Sequence, residues 1–167
     1  FGISTPGTVQ GVLSGHCQST VTLSIAPVVN AISYNWTLPA GTTYISGQGT
    51  TTITFSTDAG FVSGPVCVNA YNGCITSTNR CAYVYAAPAK PVITGPSTAC
   101  VNQAGVAYSV SPVPGATSYT WGKPSGSTIA SGQGTSSVTV NFGSTAGNVT
   151  CQAWNACGKR GTTSKAV

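Results

Sequence analysis

The chain has 167 residues, of which only 4% are charged, with Asp58 as the sole acid, six lysines and arginines, and a net charge of +5. A typical soluble domain carries about a quarter charged residues. A single carboxylate excludes paired-carboxylate hydrolysis and disfavours a calcium site. The basic residues Arg80, Lys90, Lys123, Lys159, Arg160 and Lys165 are too scattered for a nucleic-acid-binding face.

No apolar run reaches the roughly 18 residues of a membrane span. The N-terminus lacks both Met and a basic-then-apolar signal pattern, so the sequence is expected to be an excised piece or a processed product.

Along the chain, apolar residues alternate at period two in short runs: Val21, Leu23, Ile25; Ile32, Tyr34, Trp36; Ile53, Phe55; Val66, Val68, Ala70. Glycine, proline and asparagine punctuate them, as expected of half-buried strands joined by turns. A second set follows with Val106, Tyr108, Val110; Tyr119, Trp121; Val138, Val140, Phe142; and Val149, Cys151, Ala153. No segment of helical length has a 3.6-residue period.

The two sets are copies. YNWTLPAGTTYISGQGTTTITF from Tyr34 returns as YTWGKPSGSTIASGQGTSSVTV from Tyr119, in register at an offset of 85 residues. A period this long is the size of a small β-sandwich rather than of a solenoid turn. The fold class expected is all-β, two tandem immunoglobulin-like Greek-key sandwiches, over residues 1–87 and 88–167. The Ala86-Ala87-Pro88-Ala89-Lys90-Pro91 join is expected to be short and semi-extended. The SGQGT segments precede strands rather than helices, so they are expected to be inter-strand turns, not phosphate loops.

The seven cysteines point to an oxidising, extracellular setting. Cys17 with Cys74, and Cys100 with Cys157, are each separated by 57 residues, and we expect each set to pair. Closing loops of that size contributes on the order of 4 kcal/mol in the chain-entropy model. Cys67 and Cys81 flank the Asn72-Gly73 turn and are replaced together by Thr150 and Ser164 in the second copy, as a cross-strand pair would be. Cys151 aligns with Val68 and is expected to be a buried free thiol. Cys67, Cys74, Cys81 and His16 lack the close ligand pairs of a zinc site.

No catalytic residue is expected. A Ser-His-Asp triad would need His16 and Asp58, each the only residue of its kind, and a dyad of His16 with Cys17 has no counterpart beside Cys100. No metal and no cofactor is expected either. The candidate ligand-stacking aromatics are Tyr44, Tyr83, Tyr85 and Phe61, on a neutral, hydroxyl-rich surface suited to sugar rings. Ile129 and Ala166 stand at the places of Tyr44 and Tyr83, so a glycan platform is expected on the first copy only.

The succession Cys100, Tyr108, Gly115-Ala116-Thr117-Ser118-Tyr119-Thr120-Trp121, Pro124, Ser131-Gly132-Gln133-Gly134-Thr135, Val138, Val140, Phe142, Gly147, Ala153, Asn155, Cys157-Gly158 resembles the PKD-like repeats of Bacteroidota surface proteins. Such repeats form long arrays in proteins of the type IX secretion system, including gliding-motility adhesins. The first copy departs from the pattern with Ile75 in place of glycine, with the added Cys67 and Cys81, and without Gly-Ala before Ser33. The resemblance implies β-sandwiches, a cell-surface or secreted location, disulfides of Cys17 with Cys74 and Cys100 with Cys157, and a stalk or adhesive role. The partners expected are neighbouring repeats of the same polypeptide, with surface polysaccharide or another surface protein as further candidates, and neither nucleic acid nor an inserted membrane. Two other classes stay open: a carbohydrate-binding module of a secreted hydrolase, and a filament subunit assembling through strand edges.

Overall fold

The computed structural model describes residues 2–167. Strands form wherever the period-two pattern runs, and among the described residues there is no helix. The chain divides into two compact units, Phe1–Ala86 and Ala87–Val167.

The first unit holds β1 (Thr20–Ser24), β2 (Ser33–Thr37), β3 (Thr42–Ser46), β4 (Thr52–Thr57), β5 (Ser63–Tyr71) and β6 (Arg80–Tyr85). They form two antiparallel three-stranded sheets, in the orders β1-β4-β3 and β2-β5-β6. Alternate residues of β1, β4 and β5 face the core, where Val21, Leu23, Ile53, Phe55, Val66, Val68 and Ala70 are buried. Tyr34 and Trp36 close the core from β2. Ile32, expected to share that inward face, is instead 71% exposed, because β2 begins one residue later and Ile32 belongs to the connection before it.

The second unit holds β7 (Ile93–Thr94), β8 (Val106–Val110), β9 (Ser118–Gly122), β10 (Thr128–Ser131), β11 (Ser137–Asn141), β12 (Asn148–Trp154) and β13 (Thr163–Ala166). Its sheets run β10-β11-β8-β7 and β13-β12-β9, over a core of Tyr108, Trp121, Val138, Val140, Val149, Cys151 and their neighbours.

The SGQGT turn repeats its glutamine, tryptophan and threonine contacts in both units. Gln48 lies against the outer edge of β2: the Trp36 amide donates to Gln48 Oε1 at 2.7 Å and Gln48 Nε2 donates to the Trp36 carbonyl at 2.9 Å. Gln133 does the same to Trp121 on β9, at 2.8 and 3.0 Å. The side-chain amide thus stands in for a neighbouring strand. The indole Nε1 of each tryptophan donates to the carbonyl of Thr50 or Thr135, and Tyr34 and Gly49 exchange backbone hydrogen bonds, so each turn ties one sheet to the edge of the other. Gly47 and Gly132 have φ of +98° and +87°, and a Cβ at either would lie within about 2 Å of the Thr52 or Ser137 carbonyl oxygen. Only glycine fits there. Thr50 Oγ1 and Thr135 Oγ1 close the turns by donating to the Gly47 and Gly132 carbonyls at 2.9 Å.

Other edges are covered too. Residues 13–16 run beside β6, with the Tyr85 amide donating to Leu13 and His16 donating to Tyr85, while Gln10 pairs with Ser24 along β1. The outer strands β3 and β10 each carry a bulge, between Tyr44 and Ser46 and between Ile129 and Ser131. Bulges, cover and side-chain caps are the means by which sheet edges are kept from pairing with other chains.

Candidate functional site

Each sandwich has two poles. In the first unit the preceding chain runs past Gln10, paired with Ser24 at the end of β1, and the last strand leaves at Tyr85 beside residues 13–16. In the second, β7 pairs with the end of β8, and Val167 bonds to Gly147 at the start of β12. We call these the upstream and downstream poles: in each unit the chain comes in at one and goes out at the other.

The cysteines fall at opposite poles. Cys17 precedes β1 at the downstream pole, where Thr57 Oγ1 donates to the His16 carbonyl, whereas Cys74 follows β5 at the upstream pole, in a turn where Cys74 and Ile75 donate their amides to Asn72 Oδ1. Cys100 lies at the downstream pole of the second unit, where Gln103 Oε1 accepts the Cys100 amide and the Gln103 carbonyl accepts the Phe142 amide at the end of β11. Cys157 follows β12 at the upstream pole, with its amide on Asn155 Oδ1. The expected bonds Cys17 to Cys74 and Cys100 to Cys157 are therefore not formed, and Cys74 and Cys100 are exposed free thiols. A strand of five residues spans about 17 Å, whereas a disulfide tolerates Cα separations below about 7 Å. Equal sequence spacing reflected the repeat rather than proximity.

Cys67 and Cys81 are joined by a disulfide across β5 and β6, where they lie in register. Cys151 is a free thiol with no exposed surface, packed in the second core, and burial pushes its pKa up to about 11.

The aromatic candidates do not converge. Tyr83 and Tyr85 stand two apart on β6, with ring centroids 6.0 Å apart and planes tilted by 31°, on the face opposite buried Val84. Tyr83 is exposed and Tyr85 half-buried. Tyr44 is exposed on β3, at the other side of the sandwich, with its hydroxyl taking the Gln48 amide. Phe61 is buried, with its backbone packed against Gly41, and so is a core residue and not a stacking surface. The expected four-residue platform reduces to the tyrosine pair on β6.

His16 and Asp58 do not form a relay. His16 Nε2 bonds to the Val12 carbonyl at 2.7 Å and Nδ1 lies 3.5 Å from Ser19 Oγ, while the Asp58 carboxylate accepts from Thr43 Oγ1. Among the described residues no three His, Cys, Asp or Glu side chains gather to hold a metal ion.

What geometry and sequence define together is a tandem of immunoglobulin-like sandwiches with guarded edges and cysteine-bearing poles. The family model of the PKD-like domain matches residues 3–84 and again 86–167, and the chain belongs to that family in two consecutive copies. No curated protein matches the chain. Among solved structures it is similar to SGBP-B of the Bacteroides ovatus mixed-linkage glucan utilization locus, solved with a mixed-linkage heptasaccharide, at 15% identity over 97% of this chain and a TM-score of 0.37. The chain spans 45% of that protein. It is also similar to the titin domains Z1Z2 in complex with telethonin, at 14% identity, 99% and 93% coverage and a TM-score of 0.30. Domains 5–6 of the S-layer protein SbsC align at 14% identity, with 97% and 98% coverage and a TM-score of 0.28.

Proposed function

We propose that this chain is a non-enzymatic, extracellular repeat module of a large bacterial surface protein, serving as a disulfide-stiffened stalk or adhesive segment of the kind found in gliding-motility adhesins. The observation that carries the proposal is the passage of the chain through each sandwich from one pole to the other, with the outer edges of β2 and β9 capped by Gln48 and Gln133. Units of this design extend by adding further units at their poles and resist adding strands at their sides. The Cys67–Cys81 disulfide and an almost uncharged, hydroxyl-rich surface suit an oxidising exterior. The test is protease shaving of intact source cells, followed by a blot with antibody to this chain. A band far larger than 16.6 kDa that disappears on shaving is the expected result. A band near that size, or one protected from protease, would sink the proposal.

The tyrosine pair on β6 favours a second reading, as a module that binds polysaccharide, since tilted neighbouring rings on one strand face offer a surface for sugar stacking. A glycan array decides it: binding lost in Tyr83→Ala with the fold intact would support this reading, and no binding to any glycan would dismiss it. Assembly into a filament by strand addition is the reading least suited to edges that are capped, covered or bulged.

A further inference from the structure

We propose that the outer face of the β2-β5-β6 sheet binds a neutral, extended polysaccharide, two successive sugar residues of which stack on Tyr83 and Tyr85. The inference rests on the polysaccharide reading above and specifies the class of glycan and the face that holds it.

On that face the cross-strand pairs run in order along β5 and β6: Ser63 with Tyr85, Pro65 with Tyr83, and Cys67 with Cys81. Two tyrosine rings, a proline ring and a disulfide thus form one apolar strip along the outer strand, with Tyr83 56% exposed and Pro65 exposed beside it. Polar groups follow at its end and side. Beyond the disulfide, Asn69 Nδ2 donates to Asn79 Oδ1 at 2.9 Å, which leaves Asn69 Oδ1 as an acceptor and Asn79 Nδ2 as a donor for sugar hydroxyls. Exposed Asn35 and Thr37 stand on β2, in register with Asn69 and Cys67.

The class of ligand follows from ring spacing and charge. A pyranose carries C–H groups on its faces and hydroxyls at its rim, so it stacks on an aromatic ring and bonds to amides around it. Rings two residues apart on one strand, with centroids 6.0 Å apart, are placed for successive sugars of a chain lying along β6. Their 31° tilt suits a chain that twists from one sugar to the next. The first unit has only two charged side chains, Arg80 and Asp58. Arg80 Nε is turned to the Pro6 carbonyl, and Asp58 accepts from Thr43 on the other sheet. An anionic chain would therefore find no cation to pair with on the strip. The disulfide, the next pair along from Pro65 and Tyr83, fixes β5 to the strand that carries the rings, so the platform stands ready before a glycan arrives. The second unit has Asn148, Ala166, Thr150 and Ser164 in place of Pro65, Tyr83 and the disulfide, and so lacks the strip.

The test is depletion of the 167-residue protein from solution onto insoluble cellulose, mannan and chitin, which are neutral, and onto an anionic polygalacturonate gel, at physiological and at high salt. The expected result is saturable binding to at least one neutral polymer, unchanged by salt. Tyr83→Ala should weaken it about tenfold or more, whereas Tyr83→Phe, which keeps the ring, should stay within about twofold. Tyr44→Ala, on the other sheet, should bind as the wild type does. Unchanged melting of Tyr83→Ala would show that the fold is intact. Binding to polygalacturonate alone, lost at high salt, would mean that the net charge of +5 attracts anions and would overturn the neutral class. Neutral binding that Tyr83→Ala leaves untouched would move the site off this face while the polysaccharide reading stands. Self-association of the protein in sedimentation, abolished by Tyr83→Ala, would give the strip to a second copy and overturn the inference. No binding to any neutral polymer would overturn it too, and joined to a blank glycan array would remove the polysaccharide reading with it.

Discussion

Replacing Gln133 by alanine removes both hydrogen bonds with which its amide caps the Trp121 backbone, at 2.8 and 3.0 Å. Each such bond contributes about 1 kcal/mol net, and the part-buried Trp121 amide and carbonyl are left to compete for what water can reach them, so the expected loss is about 2–3 kcal/mol. For a domain of this size, 1 kcal/mol moves Tm by about 4–8 °C. The measurement is calorimetric melting of the full chain, in which Gln133→Ala should lower the transition of the second unit by roughly 10 °C or more and leave the first where it was. Gln48→Ala should do the reverse. Gln133→Glu sharpens the test, because a carboxylate still accepts from the Trp121 amide but cannot donate to its carbonyl, and should fall between alanine and wild type. A shift below about 2 °C for both alanine variants would mean that water replaces the amide without loss, and the strand-capping role would be wrong.

Trp36→Ala and Trp121→Ala should each cost roughly 3–5 kcal/mol, enough to unfold the unit concerned, seen as loss of its calorimetric transition. The paired change Cys67→Ser with Cys81→Ser opens a loop with a sequence separation of 14 and should lower the first unit's stability by about 3 kcal/mol in denaturant titration, with the second unit unaffected. Cys151 should resist alkylation until the second unit unfolds. Because its pKa is raised from 9.0 to about 11, the unfolded thiol ionises first, and the stability it lends below pH 9 should be lost as pH rises from about 9 to 11. Cys151→Val, the residue type of the first copy at Val68, should keep the fold within about 1.5 kcal/mol and remove that alkaline loss.

The architecture was open to sequence reasoning because burial on a sheet imposes a period of two, and the inward residues named from that period are buried, with Ile32 as the exception. The Cys67–Cys81 bond was legible for a similar reason: adjacent antiparallel strands bring fixed partners together, and a pair lost together in the second copy leaves a trace. The longer cysteine pairings were not legible, because their spacing carries no information about which pole of the sandwich each loop reaches. Nor was the role of Gln48 and Gln133. A side-chain amide bonding a backbone edge has no periodicity, and the repeated SGQGT could be read only as a turn.

That turn is the part of the repeat on which the two units agree most closely, and the poles are where they differ. In both units Ser-Gly-Gln-Gly-Thr supplies the same left-handed glycines, the same strand-mimicking amide and the same threonine clasp, all spent inside the unit on its own edge. The Cys67–Cys81 disulfide, the β6 tyrosines and the exposed Val29, Ile32 and Ile75 at the upstream pole belong to the first unit, where the second has Thr150 and Ser164, Ala166, and Pro114, Thr117 and Gly158. On the proposed stalk reading, a repeat that stacks must keep its sides closed in every copy, because one open edge would let any copy pair with any other. Its poles are free to diverge, since each needs to fit only one neighbour. Grafting the first unit's Val29 and Ile32 onto the matching places of the second, as Pro114→Val with Thr117→Ile, should therefore leave its melting transition nearly unchanged. A collapse of that transition would show instead that the poles are part of the core's own stability.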